Sequence, residues 1–208
     1  PNDPIYDPVM ERMIIKPSHI KARAYGYSLA NSVIDAYHAG DFVPSSKPSI
    51  TVHSTEIELG LENFMLSLGT LLGIIDTDLK FSLIPPFVRY LSEVAFIQLG
   101  DASIIGIPGE LYPEIAIGGI ENPEGADYVI APQEVPHLRS QLPGKLNLMV
   151  NLANDAIGYI IPKSEWDDDP PWIYGEEEET YGEVVSLGPN TGPIIHENIV
   201  KLIKESKK

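Results

Sequence analysis

RYLSEVAFIQLGDASIIGIPGE, residues 89–110, is the stretch whose reading decides the fold. Arg89 to Leu99 reads as a strand, Gly100-Asp101 as a tight hairpin turn, and Ser103 to Ile107 as a nearly all-apolar strand, expected to be buried on both faces. Pro108-Gly109-Glu110 ends it. Upstream, residues 50–59 form a further strand, with Thr51, His53, Thr55, Ile57 and Leu59 on one face and Val52, Ser54, Glu56 and Glu58 on the other. Downstream, Lys145 to Leu152 is another strand, in which Leu146, Leu148, Val150 and Leu152 share a face. Asn154-Asp155 turns the chain and Ile157 to Ile161 runs extended.

Helices surround these strands. Pro17-Ser18 opens one that runs to Ala39 and stops at Gly40, with Ile20, Ala24, Tyr27, Ala30, Ile34 and Tyr37 expected as a buried stripe. Residues 61–72 and a segment near Leu111 predict short helices. A last helix starts around Pro193, carries Ile195, Ile199 and Leu202 on its apolar face, and ends in Lys201, Lys204, Lys207 and Lys208. The first 15 residues read as an extended approach, 41–48 and 119–144 as loops, and 165–183 as an acidic, solvated insertion with nine carboxylates and no Lys or Arg. The mixture predicts an α/β (α+β mixed) fold, packed β-sheets flanked by helices, with 1–208 as one unit.

Composition narrows the function. The 208 residues carry a net charge of −16, against the basic face that nucleic acid requires and against docking on anionic lipid. The absence of cysteine excludes disulfide scaffolds, thiolate metal sites and thiol catalysis. The longest apolar tract, Phe64 to Ile75, is too short to span a bilayer, and no signal peptide opens the chain. The first residue is Pro1 rather than Met, which reads as a processed product or a fragment lacking an upstream part.

Neither a glycine-rich phosphate loop nor G-x-S-x-G nor H-E-x-x-H occurs. What remains are polar residues at strand ends. Glu110, held after a buried strand and a Pro-Gly turn, is either a cleft carboxylate or a surface turn. Tyr159, at the end of Asn154 to Tyr159, is either a phenol presented at the same sheet edge or a packed tyrosine. Tyr181 borders the acidic run. Among the histidines, His53 reads as a hydrogen-bonded residue on an apolar face and His38 as a helix-end residue. His19, His137 and His196 have no partner at metal-ligand spacing. The acidic block lacks the spacing of a calcium loop, and its Trp166, Trp172 and Tyr174 either cover a pocket or partner surface or simply pack.

The order of these pieces resembles the neutral/alkaline ceramidase family over residues 90–203. Val94 to Glu110 is similar to its strand, Gly-Asp turn, strand, Pro-Gly-Glu segment. Asn154 to Ile160 resembles its N-x-x-x-x-Y-[IV] element, and Tyr181-Gly182-Glu183 with Gly188-Pro189 its Y-E…G-P element. The resemblance implies two packed β-sheets with helices outside and a zinc-dependent amidohydrolase acting on ceramide or another hydrophobic N-acyl amide. Glu110 and Tyr159 would then be zinc ligands and Tyr181 the catalytic tyrosine at the scissile carbonyl. It also implies a secreted or membrane-associated protein. The five histidines do not fall in the family's histidine motifs. The histidine ligands are therefore expected from a segment outside this chain, an upstream N-terminal half or a second chain. Two alternatives stand beside this: a non-catalytic homologue or binding domain with an incomplete metal site, and a different metallohydrolase whose ligands include His53.

Overall fold

A computed structural model describes residues 3–40, 47, 49–75, 78–178 and 180–207. Most of the loop expected at 41–48 lies outside the described residues. Instead of the single unit expected over 1–208, the chain divides into two compact units, Pro1–Lys47 and Pro48–Lys208.

The first unit holds a hairpin of β1 (Ile5–Asp7) and β2 (Arg12–Ile14), followed by helix α1 (His19–Ala39). The hairpin replaces the expected extended approach because Asp7 closes the turn. Its carboxylate accepts from the backbone N–H of Val9 and Met10 at 2.8 and 2.9 Å and from Arg23 at 2.7 Å. The Arg23 guanidinium holds the Asp7 carboxyl below its ordinary range against the opposing effect of burial. In α1 the expected bounds are observed. Ser18 accepts from the Lys21 N–H, and Gly40, at φ 70°, ends the helix in a left-handed cap. The expected buried stripe is not formed. Ala24 is buried, but Tyr27, Ala30, Ile34 and Tyr37 are exposed, because a hairpin of three-residue strands covers only the first turns of a 21-residue helix.

The second unit is the α+β domain. It contains β3 (Ile50–Gly60), α2 (Phe64–Leu71), β4 (Leu79–Phe81), β5 (Val88–Leu99) and β6 (Ala102–Gly106). Next come β7 (Glu110–Leu111), α3 (Pro113–Ile117), α4 (Leu138–Gln141), β8 (Leu146–Val150) and β9 (Tyr159–Ile160), then α5 (Tyr181–Val184) and α6 (Thr191–Glu205). Strands 3, 5, 6 and 8 form a mixed sheet in that order, antiparallel except for the parallel β6–β8 pair, with β4 beside the first half of β5. The hairpin predicted at Gly100-Asp101 joins β5 to β6. Lys80 on β4 pairs with Glu58 on β3, and Arg89 lies 4.0 Å from the same carboxylate.

The two faces of this sheet differ. On the inner face Ile57, Leu59, Val94, Phe96 and Ile105 are buried with Ile195, Ile199, Leu202 and Ile203 of α6, whose i, i+4, i+7, i+8 spacing puts one continuous apolar stripe on β3 and β5. On the outer face Val52, Ile97, Ile104 and Leu148 lie in register across all four strands, flanked by the row Ile50, Leu99, Ala102 and Leu146. Val52 and Leu148 are exposed, and Ile97 and Ile104 are only half-buried. The expectation that residues 103–107 are buried on both faces holds for Ser103, Ile105, Gly106 and Ile107, while Ile104 is half-buried. The side that meets α6 and the inner cluster is closed, whereas the opposite side is closed at Ala95 and Gly106 and more open at Ile97 and Ile104.

This asymmetry sets an energetic contrast. Ile105→Ala is expected to cost about 2–5 kcal/mol, the usual range for a large-to-small change in a closed core. Leu148→Ser, on the opposite face, is expected to change stability by no more than about 0.5 kcal/mol. Urea unfolding of the two variants checks the pair.

Candidate active site

After β6 the chain passes through Ile107-Pro108-Gly109 into β7, which pairs in parallel with β9, Glu110 opposite Tyr159 and Leu111 opposite Ile160. The Glu110 N–H donates to Gly158 O at 2.9 Å and the Tyr112 N–H to Ile160 O at 3.0 Å. On the other side of β9 the Tyr159 N–H donates to Val185 O at 3.3 Å, just past α5. Three segments from distant parts of the sequence thus lie side by side.

Two glycines allow it. A Cβ on Gly109 would stand 2.4 Å from Gly158 O, and one on Gly158 would stand 1.8 Å from Val185 O; Gly158 also sits at φ 87°. No side chain fits between these backbones. Three polar anchors hold the approach. Asp155 accepts from Tyr90 Oη at 3.0 Å, from Ser92 Oγ at 2.8 Å and from the Ala156 N–H at 2.8 Å, which ties the predicted Asn-Asp turn to β5. Asn63 Nδ2 donates to the carbonyls of Val184 and Ser186 at 2.9 and 3.1 Å, while its Oδ1 accepts from the Leu66 N–H and caps α2. The Glu62 N–H donates to Leu187 O at 2.9 Å.

The result brings together the three residues singled out in the sequence. Glu110 is exposed at the strand edge beside the half-buried Tyr159, and Tyr181, 71% exposed, meets the Tyr159 ring edge-on with centroids 5.9 Å apart. The Glu110 charge is the main cause that raises the Tyr159 phenol above its ordinary value. Burial, Tyr181 and a side-chain hydrogen bond to Glu110 add to it. Sequence reasoning missed a fourth residue, the aromatic Tyr112. Its ring lies 6.1 Å from that of Tyr159, and its phenol is pushed up to about 12, first by burial and then by the charge of Glu183. The signal for it is its position two residues beyond Glu110, on the same side of an extended segment.

The histidines lie elsewhere. His196 is buried in α6 and donates from Nε2 to Pro136 O at 2.9 Å. His137 caps α4, with Nδ1 3.2 Å from Ala116 O. His53 is half-buried opposite Phe96, and His19 and His38 are exposed on α1. Among the described residues no three His, Cys, Asp or Glu side chains assemble as a metal group. Glu110 and Tyr159 fit a hard divalent ion as two adjacent oxygen donors, one fewer than the three protein ligands a catalytic zinc takes.

The acidic insertion is only partly solvated, a correction to the sequence reading. Glu176, Glu177 and Glu178 are exposed, but Trp166 and Asp167 are buried. Asp167 accepts from the Ile173 N–H at 3.1 Å, and burial raises its carboxyl. Trp166 packs inward and also lines a cavity of about 700 Å³ with Phe64, Tyr128, Asp168 and Glu183. Tyr174 donates to Glu121 at 2.7 Å. Burial also raises the Glu183 carboxyl, against the hydrogen bond from Thr180.

No protein-family model, curated protein or solved structure matches this chain.

The backbone stacking is directly testable. Gly158→Ala is expected to cost more than about 3 kcal/mol, since it adds a clash with Val185 O to a strained φ. Asp155→Ala, which removes an acceptor of two side-chain hydroxyls, is expected to cost about 2–4 kcal/mol. Chemical denaturation of both variants reads these losses.

Proposed function

We propose that this chain carries the carboxylate-and-tyrosine part of a zinc amidohydrolase site of the neutral ceramidase type, acting on a hydrophobic N-acyl amide. The observation that carries the reading is the convergence of Glu110, Tyr159 and Tyr181, which lie 49 and 22 residues apart in sequence and meet on three adjoining segments.

The roles follow from the side chains. Glu110 and Tyr159 would hold the ion, an anionic oxygen and a phenol oxygen side by side. When bound, zinc supplies Lewis acidity and a water acidic enough to give hydroxide near pH 7. The Glu110 charge raises the Tyr159 phenol above its ordinary value, and a bound dication would offset that charge and favour the phenolate as a ligand. Tyr181 is exposed, and its ring meets that of Tyr159 in a T-shaped contact. It would donate to the amide oxygen where negative charge develops in the tetrahedral transition state.

The missing ligands would be histidines on an upstream N-terminal half or a second chain. The exposed apolar residues on the outer sheet face, among them Val52, Leu146 and Leu148, support a further layer of protein, because exposed apolar patches mark interaction sites. No helix of the described residues is long and apolar enough to cross a membrane.

A second reading rests on its own observation. The lack of a three-ligand cluster among the described residues favours a non-catalytic homologue that keeps the fold. One experiment separates the two. Zinc is measured after exhaustive dialysis of the protein with its histidine-bearing part present, and hydrolysis of an N-acyl sphingosine is followed. The proposal expects about one zinc per site, and both zinc and hydrolysis lost in Glu110→Ala. An unchanged rate in Glu110→Ala, or no zinc in the unaltered protein, overturns it.

A further inference from the structure

Three tyrosines stand in a row at the site, and one of them has no role in the chemistry proposed above. The Tyr112 ring meets Tyr159 at 6.1 Å and 76°, and Tyr159 meets Tyr181 at 5.9 Å and 73°, so both contacts are T-shaped. Such pairs are directional as well as apolar, and each restricts the rotation of its neighbour.

Tyr112 is itself fixed from several sides. Its N–H is bonded to Ile160 O at 3.0 Å, it stands at the N-cap of α3, and Pro113 follows it. Its phenol oxygen occupies the space next to Gly182 so closely that a Cβ there would lie 2.2 Å from it. Gly182 is the residue after Tyr181 in α5. Tyr112 therefore touches Tyr159 with its ring and the backbone beside Tyr181 with its oxygen. Tyr159 is only half-buried and Tyr181 largely exposed, so neither ring is held by a closed core around it.

We infer that Tyr112 is the positioning residue that sets the Tyr159 ring against Glu110 and, through Gly182, sets the spacing between Tyr159 and Tyr181. The inference rests on the function proposed above for its catalytic consequence, but its structural content stands separately. Reacting groups displaced by about 1 Å lose on the order of 10²-fold in rate, so such a clamp acts on turnover more than on binding.

The test uses the protein with 3-fluorotyrosine incorporated, with the Tyr159 and Tyr181 fluorine lines assigned by Tyr159→Phe and Tyr181→Phe. Tyr112→Leu, which removes the ring, is expected to shift both lines. Tyr112→Phe, which keeps the ring, leaves the Tyr159 line in place. Gly182→Ala, which drives a methyl into the phenol oxygen, moves the Tyr181 line. In the amide assay Tyr112→Leu is expected to lower kcat at least about tenfold with KM within about twofold, and Tyr112→Phe to restore most of the loss. Unmoved Tyr159 and Tyr181 lines in Tyr112→Leu overturn the inference. Should that variant fail to fold, an unmoved Tyr181 line in Gly182→Ala overturns it alone. If the unaltered protein hydrolyses no N-acyl amide, the proposed function falls, while the fluorine lines still decide whether Tyr112 positions its neighbours.

Discussion

Backbone contact through Gly109 and Gly158 is the constraint on which the rest of the site depends. With a side chain at either position, β7, β9 and the segment after α5 would have to move apart, since the added Cβ would stand only 2.4 Å from Gly158 O or 1.8 Å from Val185 O. Glu110 would then leave the register of Tyr159, and Tyr181 would lose its edge contact. The cost of such close approach is met by hydrogen bonds rather than apolar burial. The N–H groups of Glu110, Tyr112 and Tyr159 are each paired across it, as buried backbone groups must be.

The sheet supplies the rigid frame for this junction. Its inner face is closed by α6 and carries the largest fully buried side chains, among them Phe96, Ile105, Ile195 and Ile199. Both site strands begin just beyond this core. β7 follows from β6 through Ile107, and Ile160, next to Tyr159, is itself fully buried. Glu110 and Tyr159 are thus held by neighbours that cannot shift without opening the interior. The outer face is more open, with Val52 and Leu148 exposed.

Much of the fold is legible in the amino-acid sequence. The β5–β6 hairpin follows from Gly100-Asp101 between two apolar runs, α1 from its Ser18 and Gly40 caps, and the α6 face from Ile195, Ile199 and Leu202. Local chemistry decides such features, since caps and turns are satisfied within a few residues. One expectation fails for the opposite reason. Tyr27, Ile34 and Tyr37 have helical apolar spacing yet are exposed. Periodicity states which residues share a face, but not whether another element arrives to cover it.

The candidate site divides along the same line. The sequence by itself determined that Glu110 follows a buried strand and a Pro-Gly turn and that Tyr159 follows an Asn-Asp turn, because turn residues and strand runs act over short range. Only the tertiary structure decided that Glu110 and Tyr159 are strand partners, that Tyr181 lies against Tyr159, and that Tyr112 backs them both. The physical reason is that strand register and ring contact between residues tens of positions apart are fixed by packing on a common core, and no local propensity encodes which segment comes to lie beside which.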